Sequence, residues 1–189
     1  MNATKQKLSF IGQWLKNPLQ TGAIMPSGKE LAALMVRDID PLAGRIIEFG
    51  GGTGAFTQAL LDRGVPTEQL EIVEINRDFA KNLRKHFPQL RIIEESAAAL
   101  TDHVVGANHS YAYVISGLPL LSIPKPIRDA IVAQAFELLA LDGLLIQFSY
   151  SPRCPISKTM LAANGLVAEK IGSCSKNIPP AYVFAIKRG

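Results

Sequence analysis

An acidic residue followed by a cluster of glycines carries the most visible chemistry in this sequence. The apolar run 45–49 contains Glu48 and leads into Gly50-Gly51-Gly52-Thr53-Gly54, after which a helical pattern begins. Glycine lets a backbone approach a ligand closely, and a helix start offers free N–H groups. The order strand, glycine loop, helix therefore predicts a ligand cradle at the carboxyl end of a first strand.

Two ligand classes compete for this cradle. The spacing Gly50-x-Gly52-x-x-Ala55 is typical of a dinucleotide loop, whereas Glu48-x-Gly50-x-Gly52-x-Gly54 is typical of class I S-adenosylmethionine (SAM) methyltransferases. The second pattern also explains the acid, because a carboxylate there can meet the cationic amino group of SAM. A pyrophosphate would gain nothing from that charge. A glycine-rich turn without a ligand is the third alternative.

Further polar residues are expected at the same edge of the sheet. Glu74 ends a second strand, twenty residues after Gly54, where a carboxylate can accept both hydroxyls of a ribose. The segment Ser116-Gly117-Leu118-Pro119 follows a fourth strand, and a loop with Tyr150 and Arg153 follows a fifth. Since SAM and NAD both contain a ribose, Glu74 indicates a nucleoside ligand without deciding between them.

Hydrophobic periodicity and turn residues predict an α/β chain. Ser27 and Glu30 fit a capping box at the start of one helix, and Asp142-Gly143 fits the end of another. The predicted helices are 28–39, 55–63, 78–86, 125–141 and 156–163, and the predicted strands are 45–49, 70–75, 91–93, 111–115, 144–148, 166–171 and 182–187. The final hairpin-like pair favours a methyltransferase sheet over a continued βαβ repeat.

Composition indicates a globular protein of a reducing compartment. The 189 residues are 48% hydrophobic, no apolar run reaches the roughly 18 residues of a membrane span, and no signal peptide is visible. Cys154 and Cys174 have no metal-ligand spacing, so we expect no metal. The net charge of +4 combines basic ends with an acidic middle, which predicts an anionic partner: a membrane surface, nucleic acid or a phosphate-bearing substrate.

Residues 5–17 are predicted to form a basic amphipathic helix. Phe10 and Trp14 lie on its apolar arc, whereas Lys5 and Lys16 lie off it. Aromatic side chains on a basic helix are typical of helices that bind the membrane interface. Packing of this helix on the protein's own core is an equally open interpretation.

These segments together resemble the soluble bacterial phospholipid N-methyltransferases, which convert phosphatidylethanolamine stepwise to phosphatidylcholine. Besides the glycine motif, the resemblance lies in five stretches: Trp14-Leu15-Lys16-Asn17-Pro18, Gly22-Ala23-Ile24-Met25-Pro26-Ser27, Glu74-Ile75-Asn76, Ser116-Gly117-Leu118-Pro119-Leu120-Leu121 and Pro179-Pro180-Ala181-Tyr182-Val183. It implies a Rossmann-like class I fold with a seven-stranded, mostly parallel sheet, an antiparallel last strand and helices on both faces. It also implies a membrane-associating segment 1–28 and a catalytic domain 29–189.

The resemblance further implies a site and a location. SAM, with S-adenosylhomocysteine as the product, is expected to contact Met25, Ser27, Glu48, Gly50, Gly51, Gly52, Thr53, Glu74, Ile75, Ser96, Ala97 and Ser116. The enzyme is expected to be cytoplasmic, peripheral on the inner face of the cell membrane, with a phospholipid rather than a nucleic acid as partner. Where the family has Gly-Asp, this chain has Glu95-Ser96, so either Ser96 or a shifted Glu95 is expected to bind adenine.

Methyl transfer from a sulfonium mainly requires alignment of donor and amine and exclusion of water. Ser116 and the carbonyls of Gly117 and Leu118 are expected to direct the amine lone pair, and Pro119 stiffens that turn. Tyr150 is a candidate for holding the ammonium by cation–π contact, with ordinary loop surface as the alternative. Arg153 or Lys125 is the candidate for a lipid phosphate.

Two other functions remain possible on sequence grounds. An RNA adenine N-methyltransferase also has a proline motif after strand four, but it favours Asn or Asp where Ser116 stands and an aromatic where Leu120 stands. A non-catalytic SAM-binding membrane adaptor is the other alternative. The sequence does not give the number of methyl groups added or the oligomeric state.

Overall fold

One mixed sheet organises the protein in the computed structural model, which describes residues 28–100, 109–175 and 179–189. Its seven strands are β1 (Arg45–Phe49), β2 (Leu70–Val73), β3 (Arg91–Ile93), β4 (Tyr111–Ser116), β5 (Leu139–Ser149), β6 (Leu166–Cys174) and β7 (Ala181–Arg188). Numbered within the described residues, the α-helices are α1 (Lys29–Val36), α2 (Ala55–Asp62), α3 (Arg77–His86), α4 (Lys125–Leu138) and α5 (Lys158–Ala163).

The order of the strands is β3-β2-β1-β4-β5-β7-β6. Strands β1 to β5 pair in parallel, whereas β7 runs antiparallel to both of its neighbours, β5 and β6. The predicted fold class is therefore confirmed, including the insertion of the last strand. Parallel strands place all their carboxyl ends at one edge, which is where ligands bind in open α/β sheets.

Helices cover both faces of the sheet. On one face α1, α2 and α3 pack Leu31, Phe56, Leu60 and Leu83 against strand residues such as Ile72. On the other face α4 packs Ile131 and Ala135 against residues such as Phe49 and Val114. The central strands are apolar on both sides because both faces are buried, so their sequences are continuous hydrophobic runs.

The capping box predicted for α1 involves Ser27, which lies outside the described residues. Within them, Gly28 is the N-cap of α1 and its carbonyl accepts from Ala32 N at 3.1 Å. The helix also ends at Val36 rather than at Ile39, since a tight turn brings Ile39 N within 3.2 Å of Val36 O.

The boundary between α4 and β5 also differs from the prediction. The helix ends at Leu138, and the strand begins at once at Leu139, so Asp142-Gly143 lies inside β5 rather than ending the helix. Arg188 of β7 donates to the carbonyl of Phe136 and, at 2.7 Å, to that of Ala140. A cation thus satisfies free carbonyls at this helix end, a tertiary contact that no local pattern reveals.

Several sequence predictions lie outside the described residues: the helix over 5–17, the loop with Met25 and Ser27, and hence the boundary at residue 28. Among the helices that the structure does describe, none has the length and apolarity to cross a bilayer.

Candidate active site

Three loops meet at the carboxyl edge of the sheet because their strands are in register. Phe49 at the end of β1 lies opposite Val73 of β2 on one side and Ser116 of β4 on the other. The glycine loop, Glu74 and the acceptor loop, defined as residues 116–119, consequently start side by side. The backbone links them as well, since Gly50 N donates to Val73 O and Gly117 N donates to Phe49 O, each at 2.8 Å.

The glycine loop needs its glycines for two different reasons. Gly50, Gly52 and Gly54 have φ angles of 79°, 52° and 84°, in the left-handed region that other residues rarely adopt. Gly51 is needed for packing, because a Cβ there would lie 2.5 Å from a methyl of Ile72. At Gly52, in contrast, the nearest atom to a Cβ would be Gly50 O, at 3.9 Å, so the loop is less crowded at this point.

Glu48 is a completely buried carboxylate with half of its hydrogen-bonding capacity unused. Its Oε2 accepts from the Thr57 hydroxyl at 2.6 Å, whereas Oε1 is buried without a hydrogen-bond partner. Burial raises the pKa of Glu48 to about 8, although the Thr57 hydroxyl opposes that rise. A cation brought next to Oε1 would favour the ionised form, so this position suits the ammonium of a ligand.

Glu74 is buried next to the same loop, but both of its oxygens are used. Oε2 accepts from Gly52 N at 2.9 Å, and Oε1 accepts from Asn76 N at 2.7 Å. Burial raises the pKa of Glu74, and the backbone N–H bonds oppose that rise. Each carboxylate oxygen can accept a second hydrogen bond, so the residue ties the glycine loop to β2 and still has capacity for two hydroxyls.

The acceptor loop contains a second buried polar atom without a partner, the Ser116 hydroxyl. Gly117 packs so closely on the glycine loop that a Cβ would lie 2.8 Å from Gly50 O. The Leu118 carbonyl already accepts two hydrogen bonds at 2.9 Å, from Leu120 N and from the side-chain amide of Gln147. Of the two carbonyls predicted to direct an amine, that of Leu118 is therefore fully occupied here.

Tyr150 lies in an aromatic row beside these loops. Its ring packs edge-on against Phe148 with centroids 5.2 Å apart, and Phe148 packs edge-on against Phe56 at 6.3 Å. Phe56 in turn borders the position where a Cβ on Gly117 would be, at 3.3 Å. The half-buried Tyr150 is thus part of the wall next to the acceptor loop rather than free loop surface.

The remaining predicted residues occupy more varied positions. Ser96 and Ala97 follow β3 and are buried, and the Ser96 hydroxyl accepts from Ala98 N at 3.2 Å, which closes its own turn. Arg153 is exposed, and Lys125 forms an ion pair with Asp129 one helical turn away. No group of His, Cys, Asp and Glu that could hold a metal ion occurs within residues 28–100, 109–175 and 179–189.

Three residues that support the site were not predicted from the sequence. Thr57 bonds Glu48, Gln147 bonds the acceptor loop, and Asn76 caps α3 by accepting from Asp78 N and Phe79 N. The available signals were a hydroxyl on the apolar face of α2, an amide within the apolar run 144–148, and an asparagine before a helix.

No protein-family model matches the chain. It is 29% identical over 148 residues to an ornithine lipid N-methyltransferase of Singulisphaera acidiphila, an alignment that covers 76% of this chain and 77% of that protein. A ribosomal RNA small subunit methyltransferase A of Bordetella pertussis is 43% identical over 68 residues, which are 35% of this chain and 24% of that enzyme.

Solved structures are similar along most of the chain. A magnesium protoporphyrin IX methyltransferase from Synechocystis PCC 6803, with bound SAM, has a TM-score of 0.64 at 16% identity. The alignment covers 100% of this chain and 86% of that protein. A SAM-dependent methyltransferase from Corynebacterium glutamicum has a TM-score of 0.60 at 14% identity. This alignment covers 98% of the present chain and 100% of the solved one. The chain therefore has the fold of class I SAM-dependent methyltransferases.

Proposed function

We propose that this chain is a SAM-dependent N-methyltransferase whose acceptor is the primary amine of a membrane lipid. The observation that carries the lipid assignment is the similarity to the ornithine lipid N-methyltransferase over 148 residues, because it extends well beyond the glycine motif. Phosphatidylethanolamine, which the sequence motifs imply, and ornithine lipid both present such an amine.

The residues at the carboxyl edge fit SAM as the cofactor. The unpartnered Oε1 of Glu48 suits an ammonium, the uncrowded side of Gly52 suits a nearby ligand, and Glu74 has capacity for a ribose diol. A pyrophosphate does not explain a buried carboxyl at position 48. When bound, SAM supplies an electrophilic methyl group, and its transfer to an amine leaves a neutral thioether.

The protein's own part in the reaction is alignment. The Ser116 hydroxyl, buried and without a partner, can accept an N–H of the acceptor amine and so turn its lone pair away from the strand. The aromatic row ending at Tyr150 offers a ring face to the cation that forms as the amine is alkylated. Exclusion of water from the bound donor and amine would favour transfer to the amine.

An RNA acceptor receives less support. The similarity to the ribosomal RNA methyltransferase covers 35% of this chain, and the acceptor loop has neither an acid or amide at Ser116 nor an aromatic at Leu120. Leu120 is instead buried in the core, where it cannot stack on a flipped base.

The experiment is a methyl-transfer assay with radiolabelled SAM and the purified chain. Three kinds of phosphatidylglycerol vesicle are compared, containing phosphatidylethanolamine, ornithine lipid or neither, together with ribosomal RNA in a separate reaction. Label extracted with an amine-containing lipid supports the proposal and identifies the headgroup. Label in RNA alone, or in no acceptor while SAM binds, overturns it.

Ser116→Ala tests the role of the hydroxyl. Turnover should fall more than SAM affinity, because the hydroxyl acts on the acceptor. Equal losses in turnover and in SAM affinity would reassign Ser116 to the cofactor site.

Association with an anionic membrane surface is part of the proposal and depends on the amphipathic pattern of residues 5–17. Each lysine near an anionic leaflet contributes roughly 1 kcal/mol, and salt screens that attraction. The full chain should sediment with phosphatidylglycerol vesicles, most strongly at low salt. Equal sedimentation of a chain lacking residues 1–17 would place the membrane contact elsewhere.

A further inference from the structure

Gln147 is a polar residue in a position where the fold otherwise uses apolar ones. It lies in β5 between Ser116 of β4 and Phe184 of β7, and its side chain has no exposed surface. Burying an amide costs free energy unless its hydrogen bonds are made. A glutamine here therefore needs a reason beyond filling space, since its apolar neighbours Leu145 and Phe148 fill the same strand.

The amide of Gln147 makes two hydrogen bonds, and both go to backbone carbonyls. Its Nε2 donates to Leu118 O at 2.9 Å and to Phe148 O at 2.7 Å. Because carbonyl oxygens only accept, the nitrogen must face them, and the orientation of the amide is fixed. One donor thus anchors the side chain to its own strand, and the other reaches the acceptor loop.

Leu118 connects this bond to the cofactor side of the site. Its side chain packs so tightly on Gly50 that a Cβ at Gly50 would lie 2.6 Å from a Leu118 methyl. A shift of Leu118 would therefore be felt by the glycine loop, and a shift of the Leu118 peptide would also move its neighbours Gly117 and Ser116. Gln147 thus fixes a peptide whose side chain packs directly on the glycine loop.

We propose that Gln147 is a positioning residue for methyl transfer, whose amide holds the acceptor loop in register with the glycine loop. This inference rests on the proposed function. It assigns the Leu118 carbonyl to the support of the loop and leaves the Ser116 hydroxyl as the group that faces the amine. In-line transfer is sensitive to such placement, because a displacement of about 1 Å can cost on the order of 100-fold in rate.

The first test compares Gln147→Met with Gln147→Glu and with the matched control Leu145→Ala. Methionine keeps the length but removes both donors, whereas a protonated glutamic acid keeps one O–H donor. We expect turnover to fall by about 10- to 100-fold in Gln147→Met and by less in Gln147→Glu, whose activity relative to wild type at the same pH should rise as the pH is lowered. SAM affinity should fall by much less than turnover in both variants.

Leu145→Ala shows what a loss of packing in the same strand does. It removes a buried side chain of β5 but leaves the bonds to Leu118 and Phe148 in place. If Gln147→Met loses turnover and SAM affinity together, in the same proportion as this control, Gln147 is a core residue and the inference is overturned. Wild-type turnover in Gln147→Met also overturns it.

Hydrogen–deuterium exchange separates this inference from the proposed function. Without any acceptor, amides of residues 117–122 should exchange faster in Gln147→Met than in wild type, while Leu145→Ala should loosen β5 more generally. If wild type is active and this exchange is unchanged, the inference alone fails. If wild type methylates no amine, the proposed function fails, and the role of Gln147 in methyl transfer fails as well.

Discussion

The two ends of the sheet each bury a glutamate, and they treat it in opposite ways. At the amino end, Glu71 accepts from Arg45 and Arg91, each at 2.9 Å, and from the Tyr111 hydroxyl. Arg45 also lies 4.8 Å above the Tyr111 ring. At the carboxyl end, Glu48 accepts from the Thr57 hydroxyl and has a second oxygen that nothing within the described residues satisfies.

The difference distinguishes a carboxylate whose partners are all within the fold from one with an oxygen left over. Two guanidinium groups and a phenol offset the cost of burying Glu71, so this carboxylate is satisfied without a ligand. The carboxyl end also buries unpartnered oxygens on Ser116 and Gln147, although two half-buried residues, Gln69 and Ser110, have such atoms at the other end. Three fully buried residues with unmet polar atoms on neighbouring strands indicate where the fold gives up stability for binding.

The largest expected effect is at the amino end. Glu71→Ala leaves two arginines beside a buried phenol without their carboxylate, so the free energy of unfolding should fall by about 3–5 kcal/mol. SAM affinity of the remaining folded protein should not change. Denaturant titration and calorimetry measure the two quantities, with Arg84→Ala, which breaks the half-exposed pair with Glu94, as the control. A small loss of stability would remove the contrast between the two ends.

Glu74→Ala should lower both stability and SAM affinity, because Glu74 supports the glycine loop and is proposed to bind the ribose. Loss of a charged acceptor for two ribose hydroxyls should weaken SAM binding by about 2–3 kcal/mol. The freed N–H groups of Gly52 and Asn76 should also lower the melting temperature. Unchanged SAM affinity, or tight NAD binding by wild type, would contradict the cofactor assignment.

Glu48→Gln should lower SAM affinity without lowering stability, the opposite of what is expected for Glu71→Ala. The amide oxygen can still accept from Thr57, but no negative charge remains for an ammonium. SAM affinity should fall by about 1.5–3 kcal/mol, while the free energy of unfolding should not fall. Calorimetry and thermal denaturation of the same samples provide both values. A variant that unfolds more easily but binds SAM normally would make Glu48 a second structural carboxylate.

The smallest expected effect is the pH dependence of SAM affinity, which follows from the pKa of Glu48, about 8. Without ligand the carboxyl is mostly protonated below pH 8, so pairing with an ammonium requires release of a proton. Between pH 6 and 7, where the α-amino group of SAM stays charged, affinity should rise roughly tenfold. Calorimetry in buffers of different ionisation enthalpy should detect the released proton, and Glu48→Gln should abolish both effects.

The raised pKa of Glu48 also determines how the stability of the folded state changes with pH. The folded pKa of Glu48 lies above the ordinary value of 4.5. As the pH rises from about 4.5 to 8, the unfolded chain loses this proton while the folded chain keeps it, so the folded state loses stability across that range. Glu48→Gln should flatten this part of the stability curve. An unchanged slope would show that other groups dominate it.

Sequence patterns predicted the features that local rules of chain geometry determine. The sheet, the glycine loop and the positions of Glu48, Glu74 and Ser116 follow from apolar runs, glycines and the rule that parallel strands end at one edge. The end of α4 was missed because a residue about fifty positions away, Arg188, caps it. Thr57 and Gln147 were missed because packing between elements determines their hydrogen-bond partners. A polar residue in an apolar run does not by itself indicate which group it will bond.

The place of β7 in the sheet leaves β5 without one of its neighbours until late in synthesis. Residues 150–180 separate β5 from β7, yet β7 pairs with the carboxyl-terminal part of β5, from Leu145 to Ser149. On a ribosome, β5 emerges with β4 already available but with its other edge open, and Gln147 lies on that strand. An open hydrophobic edge can pair with another chain, so we expect the nascent chain to be most prone to aggregate just before β7 covers this edge.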